Sequence, residues 1–313
     1  MMKRLLMAIA PVLIGLVALA ACGGSSTSLS NSPNAAATTP SASPTIVPAE
    51  EPVSQWDAPG SATLAQTKAV GRKWAATLTA EKIPGAGLYA KDATFDYWAS
   101  GEIHDQGVTA IEDTYRLAAV TFDWARGQLL VGPGVVAYEA QLTAYGEEKA
   151  TFPTLGLLAV DGDKITHEEV FLDPGPETKR PVVFARSAPG KKDTAEVAAE
   201  VATAVGAAFA AGDQVALQGL LSPDVRFYDT ELQHGVRGVD AVLAWQSQTP
   251  TVELSNQEPI AGPGWAVVRW TVRPAASTGV EVATPGATVM EVRAGKVVRM
   301  TLYYDNAVIG LQE

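Results

Sequence analysis

The sequence predicts an α+β protein made of two tandem copies of one helix-then-sheet unit, and three observations predict it. Five short blocks recur in the same order at a nearly constant offset. In the clearer copy, apolar residues follow a helical period first and a strand-like alternation afterwards. Gly-Pro-Gly and Ala-Gly turns then punctuate the strand region.

The repeat comes first because it sets the frame for everything else. Asp92-Ala93-Thr94-Phe95-Asp96 matches Asp224-Val225-Arg226-Phe227-Tyr228 at an offset of 132. Gly107-Val108-Thr109-Ala110-Ile111 matches Gly238-Val239-Asp240-Ala241-Val242 at 131. Gly132-Pro133-Gly134 matches Gly262-Pro263-Gly264 at 130. Val160 to Ile165 matches Val292 to Val297 at 132, and the copies close on Phe171-Leu172-Asp173 and Tyr303-Tyr304-Asp305. Two homologous domains are therefore expected over residues 62–178 and 192–313, joined by a linker over 179–191.

In the second copy, Val197, Val201, Val205, Ala208 and Phe209 form one helical stripe. Thr194 is the expected N-cap and Gly212 the expected stop. Val215 to Leu221 predicts a short second helix, ended by Ser222-Pro223. Val225 to Asp229 alternates as a strand with Phe227 inward, and Val239 to Gln246 predicts a third helix. Trp265 to Val272, Val289 to Val292 and Val297 to Tyr304 read as strands. The order implies helices packed on one face of a curved antiparallel sheet.

Ahead of both copies, Lys3 and Arg4 precede an apolar run from Leu5 to Ala18, then Leu19-Ala20-Ala21-Cys22-Gly23. Small residues before the cut suit a signal peptidase. The segment resembles the lipobox of bacterial lipoproteins, which implies cleavage after residue 21 and a lipid on Cys22. The expected location is the extracytoplasmic face of the cell membrane. Several acyl chains, at about 0.8 kcal/mol per buried methylene, hold such a protein firmly. Cys22 is the only cysteine, so an internal disulfide is excluded. The stretch 22–61 is rich in Ser, Thr, Ala and Pro and predicts a disordered spacer.

Removing residues 1–21 takes away two positive charges and moves the net charge from −11 to −13. Such acidity argues against nucleic acid as a partner and leaves membrane attachment to the lipid.

The resemblance of the second copy is specific. Phe209 to Leu217 (FAAGDQVAL), Leu221 to Phe227 (LSPDVRF), Gly235 to Val242 (GVRGVDAV) and Gly295-Lys296-Val297-Val298 with Tyr303-Tyr304-Asp305 resemble the SnoaL-like branch of the NTF2-like superfamily. This resemblance implies two tandem NTF2-like cone-shaped α+β barrels, each with a pocket between helices and sheet. The first copy departs at Ile83-Pro84-Gly85-Ala86-Gly87, which leaves its second helix open. The family hosts isomerases, cyclases, epoxide hydrolases and members of no known activity, so residues must decide the function.

His104 and His234 occupy matching places, in the loop expected between the first strand and the third helix. An imidazole at a pocket mouth can act as a general base. The plainer reading is a polar loop residue inherited by duplication, with no orienting partner visible in either copy. Alternation puts Phe95 and Tyr97 on one face, and Phe227 and Asp229 on the corresponding face. Asp229 in an apolar cone would titrate above its ordinary range and serve as acid or base, or else bond the next turn. Asp229 and His234 are therefore the candidate catalytic pair.

Tyr97, Trp98, His104, Tyr138, Tyr228, Trp270 and Tyr304 are candidates to line a ligand cavity, against a plainer role as core. In the last strand Val298, Met300, Leu302 and Tyr304 form the apolar face, leaving Arg299, Thr301 and Asp305 opposite. The matching row His167, Glu169 and Asp173 reads as a solvated or interdomain face sooner than as a metal site. No phosphate loop, nucleophile elbow, zinc helix or dinucleotide fingerprint is present, and no metal or cofactor is expected.

The leading functional expectation is a non-enzymatic, membrane-tethered protein binding a small apolar ligand or an envelope protein. The others are a SnoaL-like isomerase, cyclase or hydrolase, and a cell-envelope adaptor built on sheets packed as an internal pseudo-dimer.

Overall fold

The computed structural model describes residues 56, 58–77, 83, 85–98, 102–118, 120–145, 149–172, 190–229, 235–248, 252–274 and 284–304. Cys22, the leader, nearly all of the spacer, His234, Asp173 and Asp305 lie outside these residues. Among the described residues no helix is long and apolar enough to cross a membrane.

The first copy opens with α1 (Leu64–Thr77), then β1 (Tyr89–Trp98), β2 (Glu102–Gln106) and α2 (Val108–Ala118). Strands β3 (Val120–Gly132), β4 (Val135–Tyr145), β5 (Lys149–Asp161) and β6 (Lys164–Leu172) complete it. The second copy opens with α3 (Ala195–Ala211), α4 (Gln214–Leu220), β7 (Leu221–Asp229), β8 (Val236–Arg237) and α5 (Val239–Gln248). Strands β9 (Val252–Asn256), β10 (Ile260–Gly262), β11 (Trp265–Pro274), β12 (Thr284–Arg293) and β13 (Lys296–Tyr304) follow.

Local chemistry explains the helix ends. Thr63 and Gln66 bond reciprocally in a capping box before α1: the Gln66 carbonyl accepts from the Thr63 amide at 3.0 Å, and the Thr63 hydroxyl accepts from the Gln66 amide at 3.4 Å. Thr194 caps α3 by accepting from the Val197 amide at 3.4 Å. Gly212 ends that helix with φ at 65°, a left-handed turn that glycine adopts freely. Helix α4 stops at Leu220, and Ser222-Pro223 belongs to β7 rather than to a helix end. In the first copy, turn residues 85–88 lead directly into β1.

The two sheets share one topology. The first runs β2-β1-β6-β5-β4-β3, and the second runs β8-β7-β13-β12-β11, with β9 and β10 both on β11. Pairing is antiparallel except where each first strand meets the last: β1 with β6 and β7 with β13 are parallel. The expected curved antiparallel sheet thus contains one parallel pair in each copy, because the helical crossover carries the chain back to the same end before the meander begins. Extra residues in β1, β3, β6, β7 and β13 shift the register against their partners, interrupt the ladders and bend the strands.

Each sheet buries both faces. The inner face of the first packs on α1 and α2 around Trp74, Phe95, Ile111 and Val136. That of the second packs on α3, α4 and α5 around Val205, Leu217, Phe227 and Met300. The outer faces pack on each other through Trp98, Leu155, Leu157, Phe171, Trp265, Val267, Val289 and Tyr303. The row predicted as solvated or interdomain is thus interdomain: His167 and Glu169 are buried at 6% and 1% exposure. Where β3 and β10 meet, a Cβ on Gly132 would sit 3.2 Å from the Ala261 carbonyl oxygen, so a side chain there would push the two strands apart by a few tenths of an ångström.

Charges occupy the centre of this contact. Arg299 of β13 donates to Glu139 of β4 through both terminal nitrogens, one at 2.9 Å, and through Nε to Glu291 at 2.6 Å. The Tyr303 hydroxyl adds a bond to Glu139 at 2.7 Å. Arg269 of β11 donates to Glu169 at 3.2 Å, and the Trp98 indole donates to the same carboxylate at 2.8 Å. Burial pushes the Glu139 carboxyl upward, but the Arg299 charge and the hydrogen bonds of Arg299, Tyr303 and Gln128 outweigh it, leaving it below its ordinary range.

Glu139→Gln is expected to cost about 3 kcal/mol at neutral pH, because Arg299 loses its main counter-charge while buried. Glu139 has a lowered folded pKa, so its contribution is present above the unfolded carboxylate range and lost as pH falls through the folded value. Urea unfolding of both proteins should show the difference shrinking in acid. An undiminished difference at low pH would contradict this assignment.

Candidate functional site

The inner face of the first copy holds one carboxylate. Glu168 of β6 lies opposite Phe95 of β1 and is fully buried. The hydroxyls of Tyr115 and Tyr138 each donate to its Oε1 at 2.8 Å, and that of Tyr89 donates to its Oε2. Trp74 of α1 lies over the Tyr138 ring, with centroids 4.1 Å apart. Gly156 of β5 makes this possible, since a Cβ there would fall 1.9 Å from the Tyr138 ring. Burial lifts the Glu168 carboxyl above its ordinary range despite three phenol donors. The tyrosines are lifted as well, by burial first and the Glu168 charge second. Their polar atoms satisfy one another.

The second copy places different residues at the same positions. Met300 lies opposite Phe227 as Glu168 lies opposite Phe95. Leu221 lies opposite Val297 as Tyr89 lies opposite Ile165. Val268 replaces Tyr138 at the offset of 130, and Gln246 replaces Tyr115 at 131. The network is gone except for one amide. Both Oε1 and Nε2 of Gln246 are shut off from solvent and have no hydrogen-bond partner. Thr284 of β12, 1% exposed, has a hydroxyl in the same condition.

Where β7 and β13 end, the second copy has a further polar group. The Tyr304 hydroxyl donates to Asp229 in a bifurcated contact of 3.2 and 3.3 Å. Trp270 packs on Tyr304 with centroids 5.5 Å apart, and its indole donates to Thr288 at 2.9 Å. Asp229 is 1% exposed and shares the buried side of β7 with Val225 and Phe227.

The predicted residues divide between the two faces. Asp229, Tyr138, Trp270 and Tyr304 lie on inner faces, and Tyr97 is half-buried against the first inner core. Trp98 and Tyr228 belong to the contact between the sheets. His104 lies in strand β2 rather than in a loop, and it has an orienting partner. Its Nδ1 meets the buried Asp96 carboxylate at 2.8 Å, and Trp98 packs edge-on beside it. Asp96 also faces His167 at 3.6 Å. His104 therefore stands on the outer side of the sheet and not at a pocket mouth. Pairing of Asp229 with His234 falls outside the described residues; Tyr304 is one partner of Asp229.

Glu168, Tyr89, Tyr115, Gln246 and Thr284 were missed from sequence. One signal was present: Glu168 shares alternation with Val170 and Leu172, an acid on an apolar side.

Glu168 has a raised folded pKa, so its contribution is full below the unfolded carboxylate range and lost as pH rises through the folded value. As pH rises from the unfolded carboxylate range through the raised folded value, the wild type should lose stability relative to Glu168→Gln. Parallel denaturant titrations check this; curves that keep a constant separation would contradict it.

Residues 202–300 match the family model of the SnoaL-like domain. No curated protein matches the chain. Among solved structures, an NTF2-like protein from Burkholderia xenovorans is 22% identical over 37% of this chain and 95% of its own, with a TM-score of 0.32. An NTF2-like protein of unknown function from Mesorhizobium loti is 21% identical over 37% of this chain and 96% of its own, with a TM-score of 0.32. A hypothetical protein with a ketosteroid isomerase-like fold from Catenulispora acidiphila, in complex with trimethylamine, is 18% identical over 35% of this chain and 88% of its own, with a TM-score of 0.33. The SnoaL-like match falls within the second copy of the repeat, and the first copy repeats its core strand order.

Proposed function

We propose that the chain is an extracytoplasmic lipoprotein, tethered through Cys22, whose second copy binds a small and largely apolar ligand without transforming it. The first copy serves as its scaffold. The observation that carries this reading is Gln246, a shut-in amide with neither donor nor acceptor used. An unsatisfied buried polar group costs about 1–3 kcal/mol. At the same position of the first copy, Tyr115 is fully engaged with Glu168. A ligand with an adjacent donor and acceptor on an apolar frame would complement Gln246 among Leu221, Val268 and Met300.

Native mass spectrometry of the mature protein, purified in mild detergent from its own membranes, tests the reading. One small molecule per chain is expected, with occupancy at least about tenfold lower in Gln246→Leu, or roughly 1.4 kcal/mol. The emptied Gln246→Leu protein should be more stable than emptied wild type by about 1–3 kcal/mol. Repeated recovery of empty wild type would sink the proposal.

A second reading, acid–base catalysis, is favoured by one contact. Asp229 is a buried carboxylate with the Tyr304 phenol on it, a pairing that can move a proton. Incubation of the recovered molecule with wild type and Asp229→Asn separates the readings. Conversion by wild type alone supports catalysis, and an unchanged molecule in both supports binding.

The anchor is tested separately. Cys22→Ala should leave an uncleaved precursor or release the protein from membranes. Mature mass and membrane retention identical to wild type would contradict lipidation.

A further inference from the structure

The two outer faces carry different charges at equivalent positions of the repeat, and opposite ones at position 139 and its equivalent 269. Glu139 and Arg269 are 130 apart, the offset of the Gly-Pro-Gly turns just before them. His167 and Arg299 are equivalent as well: they lie opposite Thr94 and Arg226, themselves 132 apart. By the same offset of 132, Glu169 corresponds to Thr301.

These equivalences relate the two central ion pairs. Glu139 of the first copy meets Arg299 of the second. Exchanging the copies turns position 139 into 269 and brings it onto the strand that holds His167 and Glu169. Arg269 does meet Glu169 there, at 3.2 Å. In both pairs the carboxylate comes from the first copy and the guanidinium from the second. By these equivalences, two first copies placed face to face would set Glu139 against Glu169, with His167 beside it, twice. Two second copies would set Arg269 against Arg299 and Thr301 twice, with only Glu291 of the same copy beside each Arg299.

We propose that this inversion makes each outer face a docking surface for the unlike copy alone, and so withholds both faces from pairing with the same copy of another chain. Stability by itself does not require the charges. Well-packed apolar residues in place of buried ion pairs are often neutral or stabilising. Apolar faces, however, would accept either copy, whereas buried like charges reject the wrong one. The close approach at Gly132 and the apolar contacts supply adhesion, and Glu139, Glu169, Arg269 and Arg299 supply the choice of partner.

The test uses the full mature chain, refolded from denaturant at high concentration and measured by light scattering after size exclusion. One variant replaces the four charges: Glu139→Leu, Glu169→Leu, Arg269→Leu and Arg299→Met. It is expected to form at least a tenfold larger fraction of dimers and higher species than wild type. An oligomer fraction equal to wild type would overturn the proposal. If that variant does not fold, a reversal decides. Arg269→Glu gives the second copy the first copy's charge, and should lower the unfolding midpoint. Glu169→Arg added to the same chain should restore at least half of the loss. No loss, or a loss the second change leaves untouched, would overturn the proposal equally.

Discussion

Arg299 is a guanidinium almost fully enclosed between two β-sheets, and everything around it follows from keeping it charged there. Burial alone would lower its titration; Glu139 and Glu291 outweigh this and move it further above the physiological range. Glu139 in turn receives the Tyr303 hydroxyl, and Arg269 with Glu169 forms a second charge pair. The outer faces differ between the copies in the charges they bring to this contact. The helix-facing sides differ as well.

The divergence has a physical direction. In the first copy the inner face holds a carboxyl bonded by three phenols, with an indole tilted over one of them. In the second copy the same positions became apolar, and Gln246 remained without a partner. A packed and satisfied interior suits a scaffold. An apolar interior with an unanswered amide suits a site that something else completes. The SnoaL-like match falls on the second copy, the one with this unfinished interior.

Much of the fold was legible because its signals are local. Thr194 and Gly212 bounded α3 through side-chain and backbone chemistry that needs no tertiary context. The repeat offsets located the strands of both copies, and alternation in β7 put Phe227 and Asp229 on one buried face. Face assignment failed where both sides of a sheet are buried. Trp98 and Tyr228 read as cavity aromatics but lie between the sheets. Glu139, Arg269 and Arg299 would pass for surface residues by polarity alone. Glu168 was obscured by an irregularity: Val160 pairs with Ile165 but Ala159 with His167. Ile165 and Val170 therefore both reach the inner core, and counting by twos across that point misplaces the acid.

The central claim is that the second interior, and not the first, is completed by a ligand. A crystal structure of the protein purified from its native membranes tests this most directly. The account predicts non-protein density bonded to the Gln246 amide, with Tyr89, Tyr115 and Tyr138 still closed on Glu168. Density beside Glu168, or a Gln246 amide satisfied by the protein's own groups, would contradict it.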